Sequence, residues 1–216
     1  MLDTEPSYRA AWQRASAQCG YTLSDADYVN FIGRSTVEAE KLLLGIFGEK
    51  FPLEEFRVSC EQAESDVFTG KPFLKKPGLE ELLAFLEARN IRKAVATSTV
   101  RRRALPRLEA AGLAQRFEFV TTGDEVSKGK PSPDLFLLAA QRFGIDASGC
   151  LVLEDSEPGV MAAIRAGMRV YLVPDLNAPS ETCLKLATAT FDSLSAIVRH
   201  LEQRSDGTNC TDALMA

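Results

Sequence analysis

The sequence contains a single histidine, His200, among its 216 residues. Ser-His-Asp and Cys-His hydrolysis both use histidine as the base, and most catalytic zinc sites use it as a ligand, so its scarcity argues against all three. The five cysteines are scattered and include no Cys-x-x-Cys pair. This pattern argues against a disulfide framework or a cysteine zinc site and indicates reduced thiols. Any catalysis must therefore use carboxylates, lysine or hydroxyls.

The chain also lacks long apolar runs and an excess of positive charge. No run approaches the roughly 20 residues that cross a bilayer, and the N-terminus lacks the basic start and apolar stretch of a secretion signal. The 30 acidic residues outnumber the 25 basic ones, which gives a net charge of -5. Nucleic acids and anionic membranes need a basic face, so we expect a cytoplasmic protein that binds neither. Oligomeric state is left open.

Two kinds of pattern follow one another along the chain. From about residue 5 to residue 71 the apolar spacing is helical and no strand is predicted. From Lys75 onward, amphipathic helices alternate with short apolar runs. The apolar runs are Lys93–Ala96, Phe117–Val120, Cys150–Leu153 and Val170–Val173. This alternation predicts an α/β fold with a parallel sheet covered on both faces, preceded by a small helical unit. Residues 205–216 are polar, and we expect them to be disordered.

Polar side chains follow three of the apolar runs. Ligands of open parallel sheets bind beyond the carboxyl ends of the strands, so these residues are the candidates for chemistry. Thr97 and Ser98 follow the first run, where hydroxyl and N–H groups are suited to phosphate oxygens, or alternatively to capping the next helix. Lys130 lies in a proline-rich loop, where it is either a charge for an anion or simply solvated. Glu154 and Asp155 follow a buried run, where they suit magnesium; alternatively, Asp155 or Ser156 caps the following helix.

Taken together, these residues form a set for binding phosphate and magnesium, and their motifs resemble the haloacid dehalogenase (HAD) superfamily. The similar branch has a helical cap, as in β-phosphoglucomutase and pseudouridine-5'-phosphatase. The resemblance rests on Gly129–Asp134 and Glu154–Val160 and covers almost the whole chain. It implies that Thr97 binds phosphate and that Lys130 neutralises the nucleophile and the phosphate. It also implies that Asp155 binds Mg²⁺ and that Glu154 supports the lysine or the metal.

The resemblance also assigns the two segments. Residues 5–71 would be the cap, and residues 72–204 together with 1–4 would be the Rossmann-like core. Gly33, Arg34 and Ser35 resemble the substrate-facing loop of the cap, and Arg34 would contact a second polar group of the substrate. The expected ligand is a small phosphorylated metabolite. Without the resemblance, Arg34 would be interpreted as a solvated charge at a helix end.

The start of the chain departs from the family pattern. Family members open with a strand followed by Asp-x-Asp-Gly-x-x-x-Asp-Thr-Glu, whose first Asp is the nucleophile and whose second is the acid and base. Here Asp3-Thr4-Glu5 matches only the end of that motif. We therefore expect the first, central strand of the sheet to be missing. We expect the protein to be a Mg²⁺-dependent phosphatase that is N-terminally truncated, only marginally stable and inactive as written. The alternatives are a catalytically dead protein that binds a phosphorylated ligand or a partner, and a phosphosugar mutase.

Overall fold

The computed structural model describes residues 1–32, 36–68, 73–175, 178–204 and 213–215. The chain divides into two compact units. The helical unit comprises Leu2–Leu74, and the α/β unit comprises Met1 together with Lys75–Ala216. The helical unit thus extends three residues beyond the expected segment at each end. No helix within the described ranges is long and apolar enough to cross a membrane.

The helical unit is built around a cluster of aromatic side chains. Its described α-helices are α1 (Glu5–Gln18), α2 (Asp25–Tyr28), α3 (Thr36–Phe47) and α4 (Leu53–Phe68), with a 3₁₀ turn at Val29–Phe31. The ring of Trp12 packs edge-on against Tyr28 and Phe56, with ring centres 6.1 and 5.4 Å apart. The Tyr28 hydroxyl donates a hydrogen bond of 3.0 Å to the Glu5 carboxylate. This unit therefore has a core of its own.

The α/β unit contains a parallel sheet, as the sequence predicts. Its strands are β1 (Arg92–Thr97), β2 (Val120–Thr122), β3 (Cys150–Glu154), β4 (Arg169–Leu172), β5 (Ala189–Thr190) and β6 (Ala213–Met215). Their spatial order is β2-β1-β6-β3-β4-β5, and every adjacent pair is parallel. The predicted fold class, a Rossmann-like α/β core with a helical segment, is confirmed.

Helices alternate with these strands along the chain. They are α5 (Leu79–Ala88), α6 (Arg101–Ala110), α7 (Asp134–Phe143), α8 (Glu157–Arg165), α9 (Glu181–Leu186) and α10 (Leu194–Arg204), with 3₁₀ turns at Ala114–Arg116, Gly123–Glu125 and Ala147–Gly149. Local sequence sets their ends. The Ser156 side chain caps α8 by accepting a 3.2 Å hydrogen bond from the Gly159 N–H. Gly144 ends α7 with a positive φ of 69°.

The centre of the sheet differs from our expectation. We expected this position to lack a strand and residues 205–216 to be disordered. Instead, β6 pairs in parallel with both β1 and β3, and Leu214 lies opposite Lys93 and Leu151. The physical reason is that an empty position would leave backbone N–H and C=O groups of β1 and β3 unpaired inside the sheet, and β6 pairs them. Residues 205–212 and 216 lie outside the described residues.

Candidate functional site

The candidate site lies at the carboxyl ends of β1 and β3, where parallel sheets of this type bind ligands. Thr97 is the last residue of β1 and Glu154 the last of β3. Lys130 comes from the loop before α7, and Asp155 follows Glu154 directly. The four predicted residues therefore lie at one edge of the sheet. This is the edge indicated by the strand-end rule, by which ligands of parallel sheets bind beyond the carboxyl ends of the strands.

The turn after β1 carries the predicted hydroxyl groups. The Thr97 hydroxyl accepts a 3.1 Å hydrogen bond from the Thr99 N–H. The N-cap of α6 is Val100, and the exposed N–H of Arg101 donates instead to the Asp124 carboxylate at 2.9 Å. The hydroxyls of Thr97 and Ser98 therefore do not cap the following helix. Ser98 is exposed, so its polar groups are open to a ligand.

Gly123, in the 3₁₀ turn after β2, fixes the position of the turn that follows β1. Gly123 donates its N–H to the Thr99 carbonyl at 3.2 Å. A Cβ atom at Gly123 would lie 2.2 Å from the Ser98 carbonyl oxygen, and real side chains do not approach so closely. Only glycine allows the two backbone segments to approach this closely.

Lys130 connects the two strands at this edge. Its Nζ donates a 3.3 Å hydrogen bond to the Ala96 carbonyl of β1 and forms an ion pair with Glu154 of β3. Nζ also lies 4.6 Å from the centre of the Phe136 ring, which adds a cation–π contact. Only 12% of the lysine side chain is exposed. The alternative of a solvated loop lysine therefore does not describe Lys130.

Glu154 is buried, and both of its carboxylate oxygens have partners. One oxygen accepts from Lys130, and the other accepts from the Ser156 hydroxyl at 2.9 Å and from the N–H groups of Asp155 and Ser156. Burial opposes its ionisation, but the charge and hydrogen bond of Lys130 and the hydrogen bonds from Ser156 together lower the pKa of Glu154 below its usual value. Of the two supporting roles left open for Glu154, the observed contacts are with the lysine.

Asp155 is in a different environment from Glu154. Its carboxylate makes no hydrogen bond or ion pair with the part of the chain that the structure describes. The pKa of Asp155 is raised, chiefly because nearby protein atoms reduce its hydration and also because the Glu154 charge repels it. Part of the residue nevertheless remains open to solvent. Two positive charges, the Met1 α-ammonium group and Lys130, act in the opposite direction and favour the ionised carboxylate. A partly accessible carboxylate that accepts no hydrogen bond from the described residues is suited to binding a cation.

One further charged pair lies at this edge and was not predicted from the sequence. Asp175 follows β4 and accepts a 2.7 Å hydrogen bond from the Lys76 ammonium group. The negative charge of Asp175 also contributes to the raised pKa of Asp155, so the two carboxylates are electrostatic neighbours. The strand-end rule that identified Glu154 applies equally to Asp175, since it closely follows the apolar run Val170–Val173.

The residues present fit Mg²⁺ in part. Asp155 offers an oxygen ligand of the kind this ion prefers, and Mg²⁺ usually keeps several waters and needs only one or two carboxylates. Among the described residues, no three Asp, Glu, Cys or His side chains are grouped closely enough to hold a metal between them. Gly33, Arg34 and Ser35, the predicted substrate contacts, lie outside the described residues.

Comparison with known proteins identifies relatives with the same fold. Residues 1–167 match the family model described as haloacid dehalogenase-like hydrolase. The chain is 34% identical over 179 residues to the phosphorylated carbohydrates phosphatase of Thermotoga maritima, covering 82% of each protein. It is 33% identical over 183 residues to (DL)-glycerol-3-phosphatase 2 of Arabidopsis thaliana, covering 81% of this chain and 75% of that protein.

A solved structure agrees with these relatives. The crystal structure of a Thermotoga maritima protein, provisionally described as a β-phosphoglucomutase, superposes with a TM-score of 0.78 at 30% sequence identity. The superposition covers 94% of each chain. The matched family model spans both units and includes Thr97, Lys130, Glu154 and Asp155. The chain therefore belongs to the haloacid dehalogenase-like hydrolase family.

Proposed function

We propose that the α/β unit binds the phosphoryl group of a small phosphorylated metabolite at the edge formed by Thr97, Lys130 and Asp155. The observation that supports this most directly is the bridge that Lys130 makes between the Ala96 carbonyl and Glu154. It places a fixed positive charge next to the hydroxyl-bearing turn and beside Glu154, whose neighbour in sequence, Asp155, accepts no hydrogen bond from the described residues. Relatives that act on phosphorylated carbohydrates and glycerol phosphate support the same class of ligand.

Each residue has a role that follows from its contacts. The Thr97 and Ser98 hydroxyls would donate to phosphoryl oxygens. Lys130 would neutralise phosphoryl charge, and Glu154 would hold Lys130 in place from the side away from the ligand. Asp155 would hold Mg²⁺, which supplies charge neutralisation for the phosphoryl group when bound. Positioning and charge neutralisation account for most of the rate enhancement in phosphoryl transfer.

The covalent step of the family needs one more group, an attacking aspartate from its first motif. Residues 1–216 contain no counterpart of that aspartate, so we propose that the chain as written binds phosphate but does not hydrolyse phosphomonoesters. We also propose that the chain belongs to a lineage of phosphatases and that it is located in the cytoplasm. A phosphosugar mutase is the second candidate, supported by the superposition on a protein described as a β-phosphoglucomutase.

The first test is Mg²⁺-dependent release of phosphate from a generic phosphomonoester. The chain as written is compared with one extended at its N-terminus by a strand that carries Asp-x-Asp. Because β6 holds the central position of the sheet, the extended chain is made both with and without residues 205–216. Circular dichroism shows whether each form is folded.

The expected result is phosphate release by an extended form and none by the chain as written. Lys130→Ala should abolish that release, whereas Lys128→Ala, at an exposed neighbouring lysine, should leave it unchanged. Release by the chain as written would disprove the need for an added aspartate. Folded extended forms that bind phosphate without releasing it would favour the binding-only alternative, and conversion of one sugar phosphate isomer into another would favour a mutase.

A further inference from the structure

The C-terminal strand β6 occupies the most central position of the sheet. It is the strand that separates β1 from β3 within the described residues, and it pairs in parallel with both. Leu214 and Met215 are 2% and 0% exposed. Successive side chains of a strand point to opposite faces, so these two residues fill the two helix-covered faces of the sheet. Met215 joins the same core cluster as Ala94, Val152 and Phe136.

The register of β6 relates it to the candidate site. Met215 lies level with Ala94 of β1 and Val152 of β3. Ala96 and Glu154 are two residues further along their strands. At that level, Lys130 makes the connection between the strands by bonding to the Ala96 carbonyl and to Glu154. The lysine bridge therefore lies two residues beyond the level of Met215, the last residue of β6.

The distance that Lys130 must span depends on β6, the strand between β1 and β3. Adjacent strands lie about 4.8 Å apart, so one intervening strand sets β1 and β3 roughly 9.6 Å apart. A wider separation would lengthen and weaken at least one of the two bonds that hold the lysine. We propose that β6 is a positioning element for the candidate site: the C-terminal strand holds β1 and β3 at the separation at which Lys130 can bridge them.

This inference concerns the geometry of the lysine bridge, and only its phosphate-binding consequence rests on the proposed function. The first experiment is hydrogen exchange of the intact chain, read by mass spectrometry. Peptides that cover Leu214 and Met215 should exchange at least about a hundredfold more slowly than an unstructured segment, because their amides belong to the central strand. Exchange of the whole C-terminal segment at the unstructured rate would overturn the proposal.

The second experiment separates positioning from stability alone. Met215→Ala leaves a cavity beside β1 and β3, whereas Met215→Leu nearly conserves the volume. Each variant is treated with a limiting amount of acetic anhydride well below its unfolding temperature. Acetylation of Lys130 should rise about tenfold in Met215→Ala and stay low in Met215→Leu. The exposed Lys128 serves as an internal standard, and Leu184→Ala, at an exposed position in α9, serves as the matched surface control.

The outcomes distinguish the two proposals. If Lys130 is acetylated no more in Met215→Ala than in the parent protein, although the Tm of the variant is lower, then β6 stabilises the sheet without positioning Lys130. That result would overturn the inference. Binding of inorganic phosphate to the same variants tests the consequence, since loss of the bridge should weaken it. If the intact chain binds no phosphate, the proposed function fails, while the acetylation result still decides the role of β6.

Discussion

Lys130 and Glu154 form a largely buried ion pair, with 12% and 6% of their side chains exposed. Removing one member of such a pair is more costly than removing a surface charge, because the other is left buried without a counter-charge. Lys130→Ala should therefore lower the free energy of unfolding by about 3–5 kcal/mol, as measured by urea denaturation. Its contact with Phe136 is lost at the same time.

The matched control for this variant is Lys128→Ala, two residues away in the same loop. Lys128 is exposed, so its loss should change the free energy of unfolding by no more than about 0.5 kcal/mol. Equal effects of the two substitutions would contradict the bridge between β1 and β3.

Gly159 leaves space for the Glu154 carboxylate. A Cβ atom at this position would lie 2.0–2.3 Å from the carboxylate carbon and its two oxygens. Gly159→Ala should therefore displace Glu154, disturb its bond to Lys130 and destabilise the α/β unit by about 1–3 kcal/mol, even though alanine favours helices. Thermal unfolding followed by circular dichroism measures the change.

Gly45→Ala is the control for Gly159→Ala, because Gly45 also lies in a helix but has nothing within 4 Å of an added Cβ. At Gly45 the better helix propensity of alanine should act alone and stabilise the protein by about 0.5–1 kcal/mol. If Gly159→Ala stabilises the protein to the same extent, the close approach to Glu154 does not constrain position 159.

At the scale of residues, the sequence identified the candidate site because chemistry and position coincide. Thr97, Glu154 and Asp155 lie at strand ends, and parallel strands bring their ends to one edge, which the Lys130 side chain reaches from the loop before α7. The partners of these residues were less accessible to prediction. Whether Glu154 turns towards Lys130 or a metal depends on side-chain packing, and Asp175 pairs with a lysine 99 positions earlier in the chain.

Glu125 links several elements at the end of β2. Its carboxylate accepts hydrogen bonds from Arg142 of α7 at 2.7 Å, from the Thr122 N–H at 2.7 Å and from Arg101 of α6 at 3.2 Å. The bond from Arg142 is the main cause of its low pKa of about 2, to which Thr122 and Arg101 also contribute. The 3₁₀ turn after β2 is thereby fixed to two helices.

This low pKa makes the stability of the α/β unit sensitive to acid. A carboxyl whose pKa is depressed on folding contributes stability above its unfolded value of about 4.3, and that contribution is lost as the pH falls towards about 2. Glu125→Gln should lower the Tm at pH 7 by about 2–4 °C and flatten the decline in Tm between pH 5 and pH 3. If the Tm of Glu125→Gln falls between pH 5 and pH 3 as steeply as that of the parent protein, the Glu125 carboxyl is not a source of the acid sensitivity.

At the scale of elements, the alternation of helices and strands was predictable and the central strand was not. The runs around Ala94, Val152 and Tyr171 are apolar enough to predict buried strands. By contrast, β6 is the three-residue segment Ala213–Met215 at the end of a polar stretch, too short to show a period. The formation of β6 is explained by its neighbours, because β1 and β3 both have backbone N–H and C=O groups that a strand between them can pair.

At the scale of the whole molecule, the two units have separate cores. Cys150 is fully buried in β3, and Cys60 is buried in the core of the helical unit. Pulse labelling of these thiols during heating therefore reports the unfolding of each unit separately. Cys150 becomes reactive only when the sheet opens, so it is the reporter for ligand binding at the candidate site.

A ligand that binds only the folded α/β unit must stabilise that unit by mass action. Inorganic phosphate at 100 times its Kd should add about 2.7 kcal/mol, which corresponds to a rise of about 5–10 °C in the midpoint of Cys150 labelling. The same phosphate concentration should leave the midpoint unchanged in Lys130→Ala and shift it fully in Lys128→Ala. An equal shift in all three proteins would mean that phosphate acts as a stabilising salt rather than at this site, because a general salt effect does not depend on the lysine that joins β1 to β3.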